Sequence, residues 1–517
     1  MSVIVLLLIP LAATALVCLP LKRAWPMGVT VAANLALLIL TARLAWWVAD
    51  GNAAVSAPQV WLLKWIAVDG LSALILLLIA LVATTAAIFS IGYLGHENLP
   101  PFKLRLYYAN YNLFIFSMLA VPVLAEPTLV WIVVELTTLC SALLVSFDNT
   151  REALEASWKY VLLSLMGAGL ALFGFLVLFA AMQASGVQTA YTWNGLVAAA
   201  PKMPPILLQT SFVFILIGLG TKVGLVPMHT WLPDAHSQAP SPVCALLSGV
   251  ETTAVLYVIL RLFPVMHASP GAHAEIWALV LGLISVGTAA FLLLQVRDYK
   301  RMFAYSTVEH MGVILTAVGL GAAVAGYGAM QQILAHSVTK SFCFFAAGSV
   351  LLMAGTREIA AVRELVRRSP VAGAALVFGG LAITGAPPLA IFLSEFTILK
   401  AGLTQGQYLA TGLLAAFIVI AFFGVMLHVN RMVFGSPTEG RMNGSSDKWM
   451  NGSQPASSDG ATTPSIHQSK SPPIQPARLP FSCGLALVLA AIPVLVLGLY
   501  MPEPLHELLT QAAAVLK

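Results

Sequence analysis

About fourteen apolar runs, each near the 20 residues that carry a helix across a bilayer, divide this chain and leave room for little but a membrane bundle. They centre near residues 11, 38, 82, 115, 135, 170, 219, 252, 283, 313, 341, 385, 420 and 491. Charged residues make up 9% of the 517, where a soluble domain carries about 25%. A mean hydropathy of +0.90 places apolar side chains around the molecule as well as inside it. The reading is an all-α polytopic membrane protein packed as one bundle rather than as several soluble domains.

The linkers between the runs alternate in charge. One set carries Lys22, Arg23, Lys103, Arg105, Arg151, Arg297, Lys300, Arg301, Arg357, Arg363, Arg367 and Arg368; the alternate set carries few cations, Lys64 and Lys202 among them. Positive loops stay inside, so the first set is cytoplasmic and both termini are expected outside. The net charge of +5 is therefore topological, and no nucleic acid is needed to explain it. Val3 to Leu19 has no basic residue ahead of it and reads as a retained first helix rather than a cleaved leader. Cys18, Cys140, Cys244, Cys343 and Cys483 stand singly, with no C-x-x-C pair, which supports neither a cluster nor a disulfide framework. Residues 436–480 turn to Ser, Pro, Gly, Asn and Gln, with near-repeats at Met442-Asn443-Gly444-Ser445 and Met450-Asn451-Gly452-Ser453. Such a stretch reads as a flexible cytoplasmic linker ahead of a C-terminal helix and tail at 481–517.

Ionisable residues inside the apolar runs are the functional signal. Lys222 lies in Gly220-Thr221-Lys222-Val223-Gly224-Leu225-Val226-Pro227. An ammonium there costs about 3 kcal/mol or more unless a partner, a water path or a task keeps it. Glu135, Glu251 and Glu395 each sit in another run, and His336 and Lys340 share a further one. His336 and Lys340 are four apart, hence on one helix face, and can pass or share a proton. Glu309 and His310 lie a short way into the tenth run, and with His229, Asp234, His236, Lys159 and Lys400 they make up the secondary candidates for relay or coupling.

Pro227 breaks the run that holds Lys222, and Pro387 with Pro388 breaks the one that holds Glu395. Broken spans survive where protein or water satisfies the freed backbone groups, and a pair of them points to a transporter built from inverted repeats. The polar run His229-Thr230-Trp231-Leu232-Pro233-Asp234-Ala235-His236 has histidines seven apart and no third ligand. It reads as a helix end with a cytoplasmic loop rather than a metal site. Gly218-Leu219-Gly220-Thr221-Lys222 lacks the spacing of a phosphate loop.

Lys222 to Pro240, Asp69-Gly70-Leu71-Ser72, Lys300-Arg301 through Ala304-Tyr305-Ser306, and Gly385-Ala386-Pro387-Pro388 with Ser394-Glu395-Phe396 resemble the proton-pumping antiporter-like subunits of respiratory complex I. Ser241 to Ala254 and Tyr305 to Gly312 are closer still to the component F subunits of hydrogenase-4, a group 4 hydrogenase. The resemblance spans nearly all of residues 60 to 435. It implies N-terminal helices one to three in 1–100, one five-helix repeat in 101–265, an inverted copy in 266–435, and broken helices seven and twelve. It also implies roles: Glu135 and Lys222 as the helix-five and helix-seven pair, His336 and Lys340 on helix eleven, and Glu395 as the terminal residue on helix twelve. Thr253 stands where the family's eighth-helix lysine aligns, and Glu251 two residues earlier is the substitute.

A proton would then pass from Lys222 along Glu251, His336 and Lys340 to Glu395. With no nucleotide fingerprint, cluster motif or soluble domain, the chain is expected to hold no cofactor. Redox chemistry falls to other membrane subunits and a soluble, hydrogenase-like arm, in a bacterial inner membrane. Two other classes use the same motifs: a subunit of an Mrp-type cation/proton antiporter, and a non-pumping subunit of a bicarbonate-uptake complex.

Overall fold

The computed structural model describes residues 3–52, 55–56, 65–96, 99–436 and 478–517. Lys64 and positions 437–477 of the expected linker, with both near-repeats, lie outside the described residues. Lipid offers backbone groups no hydrogen-bond partner, so each apolar run pairs its own N–H and C=O groups as a helix. In chain order these are α1 (Ile4–Val17), α2 (Trp25–Ala49), α3 (Gly70–Gly95), α4 (Pro101–Val123), α5 (Pro127–Val145) and α6 (Arg151–Ala184). The seventh span is α7 (Pro205–Val223) followed by α8 (Trp231–Gln238). The eighth is α9 (Ser241–Leu246), a π turn at Leu247–Glu251, and α10 (Thr252–Leu260). Then come α11 (Glu275–Leu293), α12 (Tyr299–Gly319), α13 (Ala323–Ala354), α14 (Pro370–Ile383), α15 (Ala390–Thr404), α16 (Tyr408–Val433), α17 (Phe481–Leu499) and α18 (Glu503–Ala514). Against the fourteen spans expected, eleven stretches of the described residues are long and apolar enough to cross a membrane; α1 and α14 are shorter apolar helices.

Polar side chains set where the helices begin. Asp69 accepts from the Ser72 amide at 3.0 Å ahead of α3, and Glu126 from that of Leu129 at 2.7 Å ahead of α5. Asp298 accepts from the Lys300 amide at 2.7 Å and the Arg301 amide at 3.2 Å ahead of α12. Gly224 ends α7 with φ 89°, a left-handed position that a side chain would strain. The helices form a centre and a rim. The apolar window of Ser241–His267 is wholly buried, whereas that of α16 is 28% buried and turns its other residues toward lipid. Where helices must approach closely, glycine permits it: a Cβ on Gly218 of α7 would fall 2.4 Å from the Ala171 amide nitrogen of α6.

Both expected breaks are present. Pro227 separates α7 from α8, and Gly385 to Leu389, with Pro387 and Pro388, separate α14 from α15. The tail expected at the C-terminal end is itself a helix, α18, lying across α2, α3 and α13. Its His506 meets the Tyr327 hydroxyl at 2.6 Å, and Gln511 donates to the Ala49 carbonyl at 3.4 Å.

A buried clamp ties α3 to α10. Arg261 donates from both terminal nitrogens to the Asp69 carboxylate and reaches Ser72 Oγ at 2.8 Å, and Ser72 Oγ meets the Tyr257 hydroxyl at 3.0 Å. Removing one member of such a pair leaves the other desolvated and unmatched. Arg261→Ala is expected to lower stability by about 3 kcal/mol, read as an earlier thermal unfolding midpoint of the detergent-solubilised protein.

Candidate functional site

Lys222 occupies the last turn of α7, beside the break, with 3% of its surface exposed. Its ammonium donates to the Val134 carbonyl at 2.7 Å and to Thr138 Oγ1, both on α5, and lies 3.4 Å from Glu251 Oε1. Glu251 is 1% exposed and closes the π turn of the eighth span. The same Oε1 accepts from Thr137 Oγ1 at 3.1 Å and from the Tyr160 hydroxyl at 3.0 Å, with Ser141 Oγ at 3.4 Å. One carboxylate oxygen thus takes these donors, and among the described residues Oε2 has no partner.

This corrects the expected pairing. Lys222 makes its ion pair with Glu251, not with Glu135, whose Oε2 is buried without a partner. Glu135 shares α5 with Val134 and Thr138, so its helix contributes a carbonyl and a hydroxyl to the ammonium instead. Glu251 therefore sits with Lys222 rather than between it and the histidines.

The π turn joins this cluster to a second. Ser248 lies in the same turn as Glu251; its hydroxyl meets Thr307 Oγ1 at 2.6 Å and its carbonyl faces His336 Nε2 at 3.0 Å. The extra residue of a π turn re-aims backbone groups, and such turns recur at functional sites. His336 was expected to share a proton with Lys340. The structure turns it instead to His310, with the two Nδ1 atoms 3.2 Å apart, while Lys340 donates to the Phe303 carbonyl at 2.5 Å and Ser306 Oγ at 2.6 Å. Side chains four apart on α13 share a face, yet two different turns of α12 claim them.

Beyond the histidines, Gln332 approaches His310 Nδ1 at 3.3 Å and accepts from Ser394, the neighbour of Glu395. Glu395 is 6% exposed and folds back against the second break, where a Cβ on Gly385 would fall 2.3 Å from its Oε2. Glu309 is buried next to His310. The freed backbone of both breaks is satisfied locally: Trp231 Nε1 donates to the Thr221 carbonyl at 2.7 Å, the Val226 amide to Ser285 Oγ at 3.1 Å, and His310 Nε2 lies 3.0 Å from the Ile383 carbonyl.

The run from His229 to His236 is not a loop but the second half of the broken span. His236 is fully buried against the Leu232 carbonyl at 2.8 Å, and His229 is 8% exposed. Asp234 pairs with Arg301 at 2.7 Å and, more loosely, with Lys159 at 3.5 Å; Lys159 also pairs with Glu155 at 2.6 Å. Two cations hold the C-terminal end of α8: Lys300 donates to the Ala239 carbonyl at 2.5 Å and Arg357 to the Ser237 carbonyl at 2.6 Å, where the helix dipole favours positive charge. Lys400 stands apart, exposed on α15. Thr137, Thr138, Ser141, Tyr160, Ser248 and Ser394 escaped sequence reasoning because hydroxyls in apolar helices are common. Gln332, four residues before His336, was open to the same spacing argument. Among the described residues no group of three or more His, Cys, Asp or Glu side chains is placed to hold a metal ion.

Fold and site define a class: a polytopic, antiporter-like membrane subunit with ionisable side chains gathered at two broken spans. A family model described as NADH:quinone oxidoreductase/Mrp antiporter, TM matches residues 126–423, and one described as NADH-Ubiquinone oxidoreductase (complex I), chain 5 N-terminus matches residues 65–102. The chain belongs to the NADH:quinone oxidoreductase/Mrp antiporter transmembrane family. A Hydrogenase-4 component F homolog from Methylacidiphilum infernorum (isolate V4) is 40% identical over 377 residues, 72% of this chain and 79% of that protein. Two solved structures share the fold at 21% identity and a TM-score of 0.82, each covering 99% of this chain. One is of the membrane-bound sulfane sulfur reductase, an archaeal respiratory membrane complex, with 97% of that chain covered. The other is of the Mrp complex from Dietzia sp. DQ12-45-1b, with 96% covered.

Proposed function

We propose that this chain moves protons across the membrane as a subunit of a group 4 hydrogenase or complex I-related redox complex. The observation that carries the reading is the buried Lys222–Glu251 pair beside a broken span, one π turn away from the His336–His310 cluster. The proton moves from Lys222 and Glu251, with Glu135 nearby, to the histidines and on past Gln332 and Ser394 to Glu395; Lys340 biases the histidines from the next turn. Residues 101–265 and 266–435 act as two five-helix repeats, both termini face the outside of an inner membrane, and a soluble redox arm on partner subunits drives the cycle. Moving one charge against 100 mV takes about 2.3 kcal/mol. A tenfold change in one group's proton affinity supplies only about 1.4 kcal/mol. Several coupled groups must therefore shift together, and a partner must drive them.

The test is proton uptake by lipid vesicles containing the intact complex, followed with an internal pH dye under an imposed potential. Uptake independent of sodium is expected. The matching family description also names Mrp antiporters, which favours a second reading as a cation/proton antiporter subunit; uptake that requires sodium would select it. Gly385 gives a narrower prediction. With φ 68° and Glu395 Oε2 against it, Gly385→Ala displaces that carboxylate. Flux is expected to fall about tenfold or more while the complex still assembles, measured as uptake per assembled complex.

A further inference from the structure

His310 and His336 are both fully buried, and their contacts can be counted hydrogen by hydrogen. His336 Nε2 lies 3.0 Å from the Ser248 carbonyl, and His310 Nε2 lies 3.0 Å from the Ile383 carbonyl. A carbonyl oxygen only accepts, so each Nε2 carries a hydrogen. A neutral imidazole has one N–H. Two neutral rings would therefore spend both hydrogens on the carbonyls and leave none for the 3.2 Å contact between their Nδ1 atoms, of which only that of His310 has another donor nearby, Gln332. Three contacts need three hydrogens, and two neutral rings supply two.

We propose that His310 and His336 form a binding site for one extra proton, held between their Nδ1 atoms as an imidazolium–imidazole pair. Gln332 decides which ring carries it. With its amide nitrogen 3.3 Å from His310 Nδ1, that ring nitrogen is the acceptor, shared between Gln332 and His336, and the added hydrogen sits on His336 Nδ1. His336 is then the doubly protonated ring, and His310 the neutral one with its hydrogen on Nε2. Ser394 holds the amide in that orientation through the Gln332 oxygen. Turning the amide over would place an acceptor against His310 Nδ1 and draw the proton onto that ring, one step closer to Glu395.

The charged and titratable groups around the pair are consistent with a cation that comes and goes. Lys340, one turn along α13, is held by Phe303 and Ser306 and opposes a second positive charge. Glu309 beside His310 and Glu395 beside Ser394 are the buried carboxyls nearest the pair in sequence and contact. The charge-assisted hydrogen bond from His336 Nε2 to the Ser248 carbonyl lowers the cost of burying the cation. As a stop on the relay the pair rests on the reading above; as a site for one proton it stands on its own geometry.

The test uses the full chain, labelled with ring ¹⁵N-histidine and reconstituted in phospholipid, and reads its solid-state ¹⁵N spectrum at neutral pH. His336 is expected to give two protonated ring nitrogens and His310 one, with the second His336 N–H lost in His310→Phe. A wild-type spectrum in which both rings are singly protonated overturns the site, whether or not the variant folds. Flux separates the two claims. Reduced flux in His310→Phe with neutral wild-type rings removes the shared proton and leaves the relay. The expected spectrum with wild-type flux in the variant keeps the site and removes it from the relay.

Discussion

Proton uptake by vesicles containing Lys222→Ala is expected to fall about a hundredfold or more, the size of effect that follows loss of a positioned proton-transfer group. The substitution also breaks the buried pair with Glu251, at about 3 to 5 kcal/mol, so uptake is read per assembled complex. Glu251 keeps Thr137 and Tyr160 as donors, while the Val134 carbonyl and Thr138 lose one each. A second variant separates transfer from packing. Lys222→Arg keeps a cation beside Glu251, but a guanidinium does not release its proton. If the ammonium only held helices together, arginine would restore much of the function; as a carrier it should leave flux low. Wild-type flux in Lys222→Ala would end the relay reading.

Glu251→Gln is expected to match that loss and to exceed the effect of Glu135→Gln. The neutral amide leaves the Lys222 ammonium with no counter-charge within 4 Å, at a stability cost of about 3 to 5 kcal/mol for a broken buried pair. The lysine then sheds its proton, and loading fails at the first step. Glu135 makes no such contact, so its amide variant should assemble normally and slow uptake less. Uptake per assembled complex, compared between the two variants, decides the order; a stronger effect at Glu135 would restore the pairing that the resemblance implies.

The buried ionisable side chains were mostly legible one by one. A lysine, a glutamate or a histidine in an apolar run stands out because lipid penalises it, whatever surrounds it. The two breaks were legible too, since proline lacks the amide that a helix needs. Pairings were not. His310 and His336 are 26 residues apart in the chain and on different helices, and Lys222 meets Glu251 where a π turn interrupts the eighth span. The His229 to His236 run misled for the opposite reason. Its polarity matches a loop, but Arg301 pairs with Asp234 while Lys300 and Arg357 hold the Ala239 and Ser237 carbonyls just beyond it, so the run packs as a helix.

Composition and spacing alone therefore determined that this chain is a membrane bundle of apolar helices, that two spans break, and which side chains are too costly to be idle. Those are properties of single segments against lipid, and they need no neighbour. The tertiary structure decided which groups touch: Glu251 rather than Glu135 on Lys222, His310 rather than Lys340 on His336, and a C-terminal helix laid across the bundle. Contacts of that kind depend on the rotation and depth of each helix against the next. A shift of one residue turns a side chain by about 100°, which no local pattern of residues specifies.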